Sequence, residues 1–252
     1  MYDDIETGAS HSFLKELASL LKRPVCLIGG WAVYYNVNRR FEKQRGRPYL
    51  GSRDIDLGFD SAASFKQAGS ALEKRGFSFL RFRYYKSIDR ETGRDLTADE
   101  EKGLPMFQMV RVWVDPFVPR SDAGVEKVLG FHPLDEPLLE QVFSSPGNHT
   151  ELFDGRLWLP APRILLATKL NCLPGRDKHD KRIKDLCDIT ALCLFTSGDM
   201  DSLIGEAKGL ARKTKLSRLR DAITDEDVQA SAEILGLDAA VVRGVVERIL
   251  RR

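Results

Sequence analysis

Asp54 and Asp56 stand two residues apart in GSRDIDLGFD (51–60), alternating with Ile55 and Leu57. Such alternation marks a strand with one buried face. Residues i and i+2 of a strand share a face about 6–7 Å apart. The two carboxylates therefore point into one space and repel, more strongly as water is excluded. A divalent cation between them resolves the conflict. Mg²⁺ takes hard oxygen ligands, keeps several waters, and uses one or two carboxylates together with substrate phosphates; Mn²⁺ suits the same donors. That chemistry serves phosphoryl or nucleotidyl transfer, in which metal ions stabilise the attacking and leaving oxygens. The alternative is a pair of solvated acids on an edge strand.

Gly29 and Gly30 lie upstream, between the apolar run VCLI (25–28) and WAVYYNV (31–37). A turn without side chains at a helix N-terminus lets a phosphate approach the exposed N–H groups and the positive end of the dipole. Ser52 and Arg53 flank the acid pair. Ser52 is a candidate nucleotide contact, and Arg53 is expected on the face opposite Asp54. Downstream, MFQMVRVWVDPFV places Val110, Val112 and Val114 on one face and Arg111, Trp113 and Asp115 on the other, with Pro116 as its bound. Asp115 is an acid on a mostly apolar strand, or simply a polar strand end. Each signal is weak alone. The order strand, Gly-Gly, helix, Asp-x-Asp strand, later acid-bearing strand is much more specific.

The elements that must position these residues follow from periodicity. A helix is expected over 10–22, a buried strand over 25–28, a helix over 31–37, and a polar, arginine-rich connection over 38–52. The acid-bearing strand is followed by a helix over 61–76, capped by Ser61 and ended by Gly76. One aromatic strand (77–86) and an acidic loop (89–103) precede the Asp115 strand. ELFDGRLWLP (151–160) has an Asp-Gly pair suited to a two-residue hairpin. Beyond Pro162 only helical patterns remain, including a Thr224/Asp227 capping box. The expected fold class is α+β (mixed α/β): a mixed part over 1–160 with a small mixed sheet flanked by helices, then a helical part over 161–252.

Composition excludes little. Hydrophobic residues make up 42% and charged residues 30%, as in a globular chain able to bury a core. A net charge of +2 argues neither for nor against nucleic acid, although RRFEKQRGRPY (39–49) and RDKHDKRIK (176–184) are basic clusters. Such runs are usually solvated faces. No run approaches the roughly 18 apolar residues needed to span a bilayer, and MYDDIETGAS lacks the layout of a signal peptide. Cys26, Cys172, Cys187 and Cys193 form no CxxC pair. A cytoplasmic protein with reduced thiols and no membrane partner is expected.

LIGGWAVYY followed by SRDIDLGF resembles the signature of the polymerase-β-like nucleotidyltransferase superfamily. The resemblance implies that Asp54, Asp56 and Asp115 bind metal, Mg²⁺ or Mn²⁺, with an NTP as substrate held at Gly29 and Gly30. FDGRLWLPAPRILLATKL followed by KRIKDLCDI is similar to the AbiEii-type nucleotidyltransferases, which include toxins of toxin–antitoxin pairs. In that branch a lysine and a downstream aspartate of the helical domain complete the site. Lys169 matches the lysine, and Asp185 or Asp188 matches the aspartate. The resemblance covers about 25–60, 106–118 and 155–190. One departure is the 23 residues between Gly30 and Asp54, more than compact members have; the excess is the basic stretch 38–51.

The residues also admit plainer roles. Lys169 lies beside Leu165, Leu166 and Leu170 and could snorkel from a packed helix. Asp185 and Asp188 each follow a lysine by four residues and could be halves of helical ion pairs. Trp31 reads as core. Three functions result: a metal-dependent transfer of NMP to a hydroxyl of RNA (tRNA) or protein, as in a toxin with an antitoxin partner; the same chemistry on a small, aminoglycoside-like acceptor; or a non-catalytic nucleotide- or partner-binding module. The basic arm slightly favours a macromolecular acceptor.

Overall fold

A computed structural model describes residues 3–251. The fold is mixed α+β. By internal contacts the chain divides into two units: the chain through Trp31 with Leu50–Pro160, and Ala32–Tyr49 with Ala161–Arg252. Residues 32–49, which periodicity places with the N-terminal part, group with the C-terminal helices.

Among the described residues the first unit holds every strand: β1 (Val25–Ile28), β2 (Asp54–Phe59), β3 (Ser78–Leu80), β4 (Arg83–Asp89), β5 (Met109–Val118), β6 (Leu134–Asp135), β7 (His149–Leu152) and β8 (Leu157–Pro160). They form one mixed sheet in the order β3-β4-β5-β2-β1-β8-β7, with β6 also on β5. β1 runs antiparallel to β2, and β2 parallel to β5. Helices α1 (Asp4–Leu20), α3 (Ala62–Lys74), α4 (Ala98–Gly103), α5 (Ala123–Leu129) and α6 (Leu139–Ser144) belong to this unit; between α1 and α3, α2 (Gly29–Arg45) begins here and continues into the second. Val25, Leu27, Ile55, Leu57, Val112 and Val114 are buried on the sheet's apolar side.

The second unit is helical: the later turns of α2, then α7 (Pro162–Cys172), α8 (His179–Phe195), α9 (Met200–Leu210), α10 (Lys213–Leu216), α11 (Leu219–Ala222), α12 (Asp225–Leu235) and α13 (Ala239–Leu250). Phe41 is fully buried and meets Phe195 and Tyr49 edge-on at 5.0 and 5.2 Å. The Thr224/Asp227 capping box is present. No helix among the described residues is long and apolar enough to cross a membrane.

Several expectations need correction. α1 starts at Asp4, because the Asp3 side chain accepts from the Ile5 amide and Asp4 and Glu6 sit in the first turn. α2 continues through most of the expected connection, since Lys and Arg are good helix formers and Val37 and Phe41 give it a buried stripe. The aromatic strand is two strands, β3 and β4, joined at Arg81 with φ 62°. The acidic loop contains α4, opened by a Thr97/Glu100 capping box. β5 passes through Pro116. That residue falls after the last β4 partner, Val114, and before Phe117, where β6 pairs, so on that edge no ladder needs its missing N–H. The β7–β8 turn is four residues long, with Phe153, Asp154 and Gly155 at positive φ.

Candidate active site

The first unit brings the glycines and three aspartates to one place. β2 exposes Asp54 and Asp56 on its partly open face and buries Ile55 and Leu57 on the other. β5 does the same with Trp113 and Asp115 against Val112 and Val114. The parallel register sets Asp56 beside Asp115 and Asp54 beside Trp113. On its other side Asp56 is paired with Ile28, the residue before Gly29. Strand alternation and register thus align Ile28, Asp56 and Asp115 across three neighbouring strands.

Gly29 opens α2 with φ +66°, a conformation that disfavours side chains. A Cβ there would also lie 2.7 Å from Asp56 Cγ. The Asp56 carboxyl group therefore packs directly against the first residue of a 17-residue helix with no acidic residue in its first turn. Gly30 follows as its second residue, buried. Ser52 is buried just ahead of β2.

Two arginines face the acids. Arg83, the first residue of β4, forks onto Asp115: Nε donates to Oδ1 at 2.6 Å and a terminal nitrogen to Oδ2 at 3.0 Å. The same side chain lies 3.6 Å from Asp54 Oδ1, and its guanidinium carbon 4.1 Å from the Trp113 ring centre. Arg53 Nε is 3.7 Å from Asp54 Oδ1. Arg53 therefore turns toward Asp54 and not to the opposite face, because it precedes the first paired residue of β2 and is not bound by strand alternation. Asp54 Oδ1 is buried and accepts no hydrogen bond.

No three His, Cys, Asp or Glu side chains among the described residues gather closely enough to enclose a metal ion. Asp54 and Asp56 still offer hard oxygens on one face, one of them buried without a donor. That pair fits one divalent cation of the Mg²⁺ type. Asp115 differs, since both of its oxygens already face a guanidinium.

The second unit gathers the other three candidates into a buried ionic network. Lys169 Nζ on α7 lies 2.6 Å from Asp185 Oδ1 and 2.7 Å from Asp188 Oδ2 on α8. Lys184 pairs with Asp188 at 2.5 Å, and Arg176 with Asp185 at 2.5 Å. Tyr49 donates its hydroxyl to Asp188 Oδ1 at 2.7 Å. Burial alone would lower the Lys169 pKa, but the two carboxylates more than offset it and hold the amine above its ordinary value. Burial would raise Asp188, yet Lys169 and Lys184 hold it below the usual carboxylate range. Burial, and then Asp188, push the Tyr49 phenol well up. Lys184 is buried along with the aspartate it pairs with. The basic arm is also engaged: Arg40, Arg45 and Arg47 donate to the carbonyls of Thr196, Gly236 and Ile234.

No family model matches the chain, and no curated protein matches it. Among solved structures it is similar to an antigenic nucleotidyltransferase-like protein from Paracoccidioides brasiliensis. The two share 17% identity with a TM-score of 0.45, over 95% of this chain and 96% of that one. A likeness of that size carries no argument, and the reading rests on the site.

Residue types and spacing do not reveal Arg83, Arg176 or Tyr49. Arg83 looks like one more basic residue in LRFRYYK; its place beside Asp115 depends on where the chain turns at Arg81. Trp31 is buried, as a core residue should be, and donates its indole N–H to Ser10 Oγ at 2.9 Å. Cys187 and Cys193 are buried thiols, pushed up to about 12 by desolvation, so neither is a nucleophile at neutral pH.

Proposed function

We propose that the first unit is a nucleotidyltransferase centre that moves NMP from an NTP to a hydroxyl acceptor. The contact of Gly29 with Asp56 carries the reading. It joins a helix N-terminus, where phosphate is favoured, to a strand carboxylate, where a cation is favoured, at van der Waals distance. A helix cap alone would call for one acid, whereas Asp54 repeats it on the same face.

In this reading Asp54 and Asp56 hold one divalent cation, Mg²⁺ or Mn²⁺. When bound, it supplies charge neutralisation for the triphosphate and the leaving pyrophosphate. Gly29 leaves room for the Asp56 carboxylate, and the N–H groups at the start of the helix, from Gly29 and Gly30 onward, receive phosphate oxygens. Ser52, next to the pair, contacts the nucleotide. Asp115 lies beside Asp56 and orients the acceptor hydroxyl. Lys169, Asp185 and Asp188 form the ionic core of the second unit, which by itself accounts for their charges.

For the acceptor, RNA (tRNA), a protein and a small hydroxylated molecule all share the needed hydroxyl. Toxin activity with an antitoxin partner extends the proposal through the AbiEii-type resemblance. Three arginines of the basic arm are committed to carbonyls, which removes much of the argument for a polyanionic acceptor. The test is incubation with each α-labelled NTP, Mg²⁺, and either total RNA, the protein alone, or a panel of aminoglycosides. Label transferred by the wild type but not by Asp54→Asn supports the reading. No transfer with any NTP, together with no nucleotide binding, overturns it.

A further inference from the structure

We propose that Arg83 supplies at Asp115 the positive charge that a second divalent cation would bring, so that the centre takes one metal ion and not two. The inference rests on the nucleotidyl-transfer reading of the same site and concerns how its third carboxylate is used.

The guanidinium occupies the relevant ground. It contacts both Asp115 oxygens, at 2.6 and 3.0 Å, and reaches to 3.6 Å from Asp54 Oδ1. It therefore sits on Asp115 and only approaches Asp54, beyond hydrogen-bond distance. A metal ion of the Mg²⁺ type sits about 2.0–2.1 Å from its ligand oxygens. Placed on Asp115, it would lie against a group that cannot lose its proton to relieve the repulsion.

Arg83 is also held in place. Its backbone pairs with Leu80 across the β3–β4 turn, and the next residue, Tyr84, pairs with Val114 of β5. Its guanidinium carbon lies 4.1 Å from the Trp113 ring centre, a stacking arrangement that suits a planar, weakly hydrated cation. The side chains of Arg83 and Asp115 are 26% and 15% exposed, so water screens the fork only in part. Lysine could not reproduce it, because an ammonium is a point charge without the fork.

Arg83 then acts as a positioning residue. It fixes the Asp115 carboxylate beside Asp56 and leaves the Asp54/Asp56 pair to the single ion.

The test counts bound Mn²⁺ by electron paramagnetic resonance on the whole chain, with the metal alone as probe. The wild type should bind about one ion per chain and lose it in Asp54→Asn. Arg83→Met should gain a second ion, which the double variant Arg83→Met/Asp115→Asn loses again. Two ions in the wild type, or one ion in a folded Arg83→Met, would overturn the proposal while leaving nucleotidyl transfer intact. No ion in the wild type would instead overturn the metal-dependent reading beneath it. The wild-type count decides between one and two ions even if Arg83→Met does not fold.

Discussion

The Asp56 carboxylate takes the space that a side chain on Gly29 would need. A helix start and a strand acid are thereby locked together, and a substitution at either position is felt at the other. Gly29→Ala should lose transfer activity and should also destabilise. It combines positive φ, costing about 1–2 kcal/mol for a non-glycine residue, with overlap of the carboxylate. Gly46→Ala, also at positive φ but with nothing within 4 Å, should show only the backbone cost. Paired urea unfolding and transfer assays separate the two terms.

Asp54→Asn and Asp56→Asn keep side-chain shape and remove one negative charge from a crowded face. Each should reduce kcat/KM by on the order of 10² or more, taking a lost electrostatic contribution of about 3 kcal/mol. The melting temperature should change little, because the relief of like-charge repulsion is offset at Asp54 by weaker attraction to Arg53 and Arg83. A variant with near wild-type turnover would remove its aspartate from the metal site.

Lys169 tests whether the second unit's ions are structural. Lys169→Ala leaves Asp185 and Asp188 buried without their shared cation and should cost about 3–5 kcal/mol of stability. Lys184→Ala should also destabilise, by less, because Asp188 keeps Lys169 and Tyr49. A stable Lys169→Ala protein with an isolated rise in KM for NTP would restore the lysine to the nucleotide site.

Acid should unfold the second unit through Asp188. Its carboxyl is held low in the folded state and returns to about 3.9 when unfolded. The stabilisation is therefore complete above that value and lost as pH falls through the lower, folded pKa. Stability measured from pH 5 to pH 2 should fall more steeply in the wild type than in Asp188→Asn, which is weaker at neutral pH but lacks this titration.

The basic arm gives a contrasting outcome. Neutralising Arg40, Arg45 and Arg47 together should lower the unfolding midpoint, since each binds a carbonyl within its unit. The salt dependence of RNA binding should be nearly unchanged. A marked drop in the salt slope, the sign of lost phosphate contacts, would return the arm to an acceptor-binding role.

Much of the first unit can be read from local pattern. Alternation puts Asp54 and Asp56 on one face and Asp115 on another strand's equivalent face, and Gly29 advertises its unusual backbone by being glycine. Register is the part that local pattern does not contain. Nothing near Arg83 says that it lies across from Asp115, and nothing near Tyr49 announces a fully buried carboxylate 139 positions away. The Lys169 segment shows a different limit: whether its lysine faces solvent or two buried aspartates depends on packing. The helix over 38–45 is hidden by its dense charge, which looks like a solvated connection although Lys and Arg favour helix.

Neither unit is a continuous piece of chain. Residues 32–49 belong with helices that begin more than a hundred positions later, and Phe41 and Tyr49 are among the apolar side chains they bring. A truncation at Pro160 would accordingly not yield a minimal catalytic fragment. It would strand a hydrophobic helix without its cover and deprive Asp188's partner Tyr49 of its acceptor. During synthesis the ribosome must release most of α8 before that helix has anything native to bury against, so the early chain carries an exposed apolar stripe for most of its translation. Aggregation of C-terminally shortened versions is the outcome to expect from that topology.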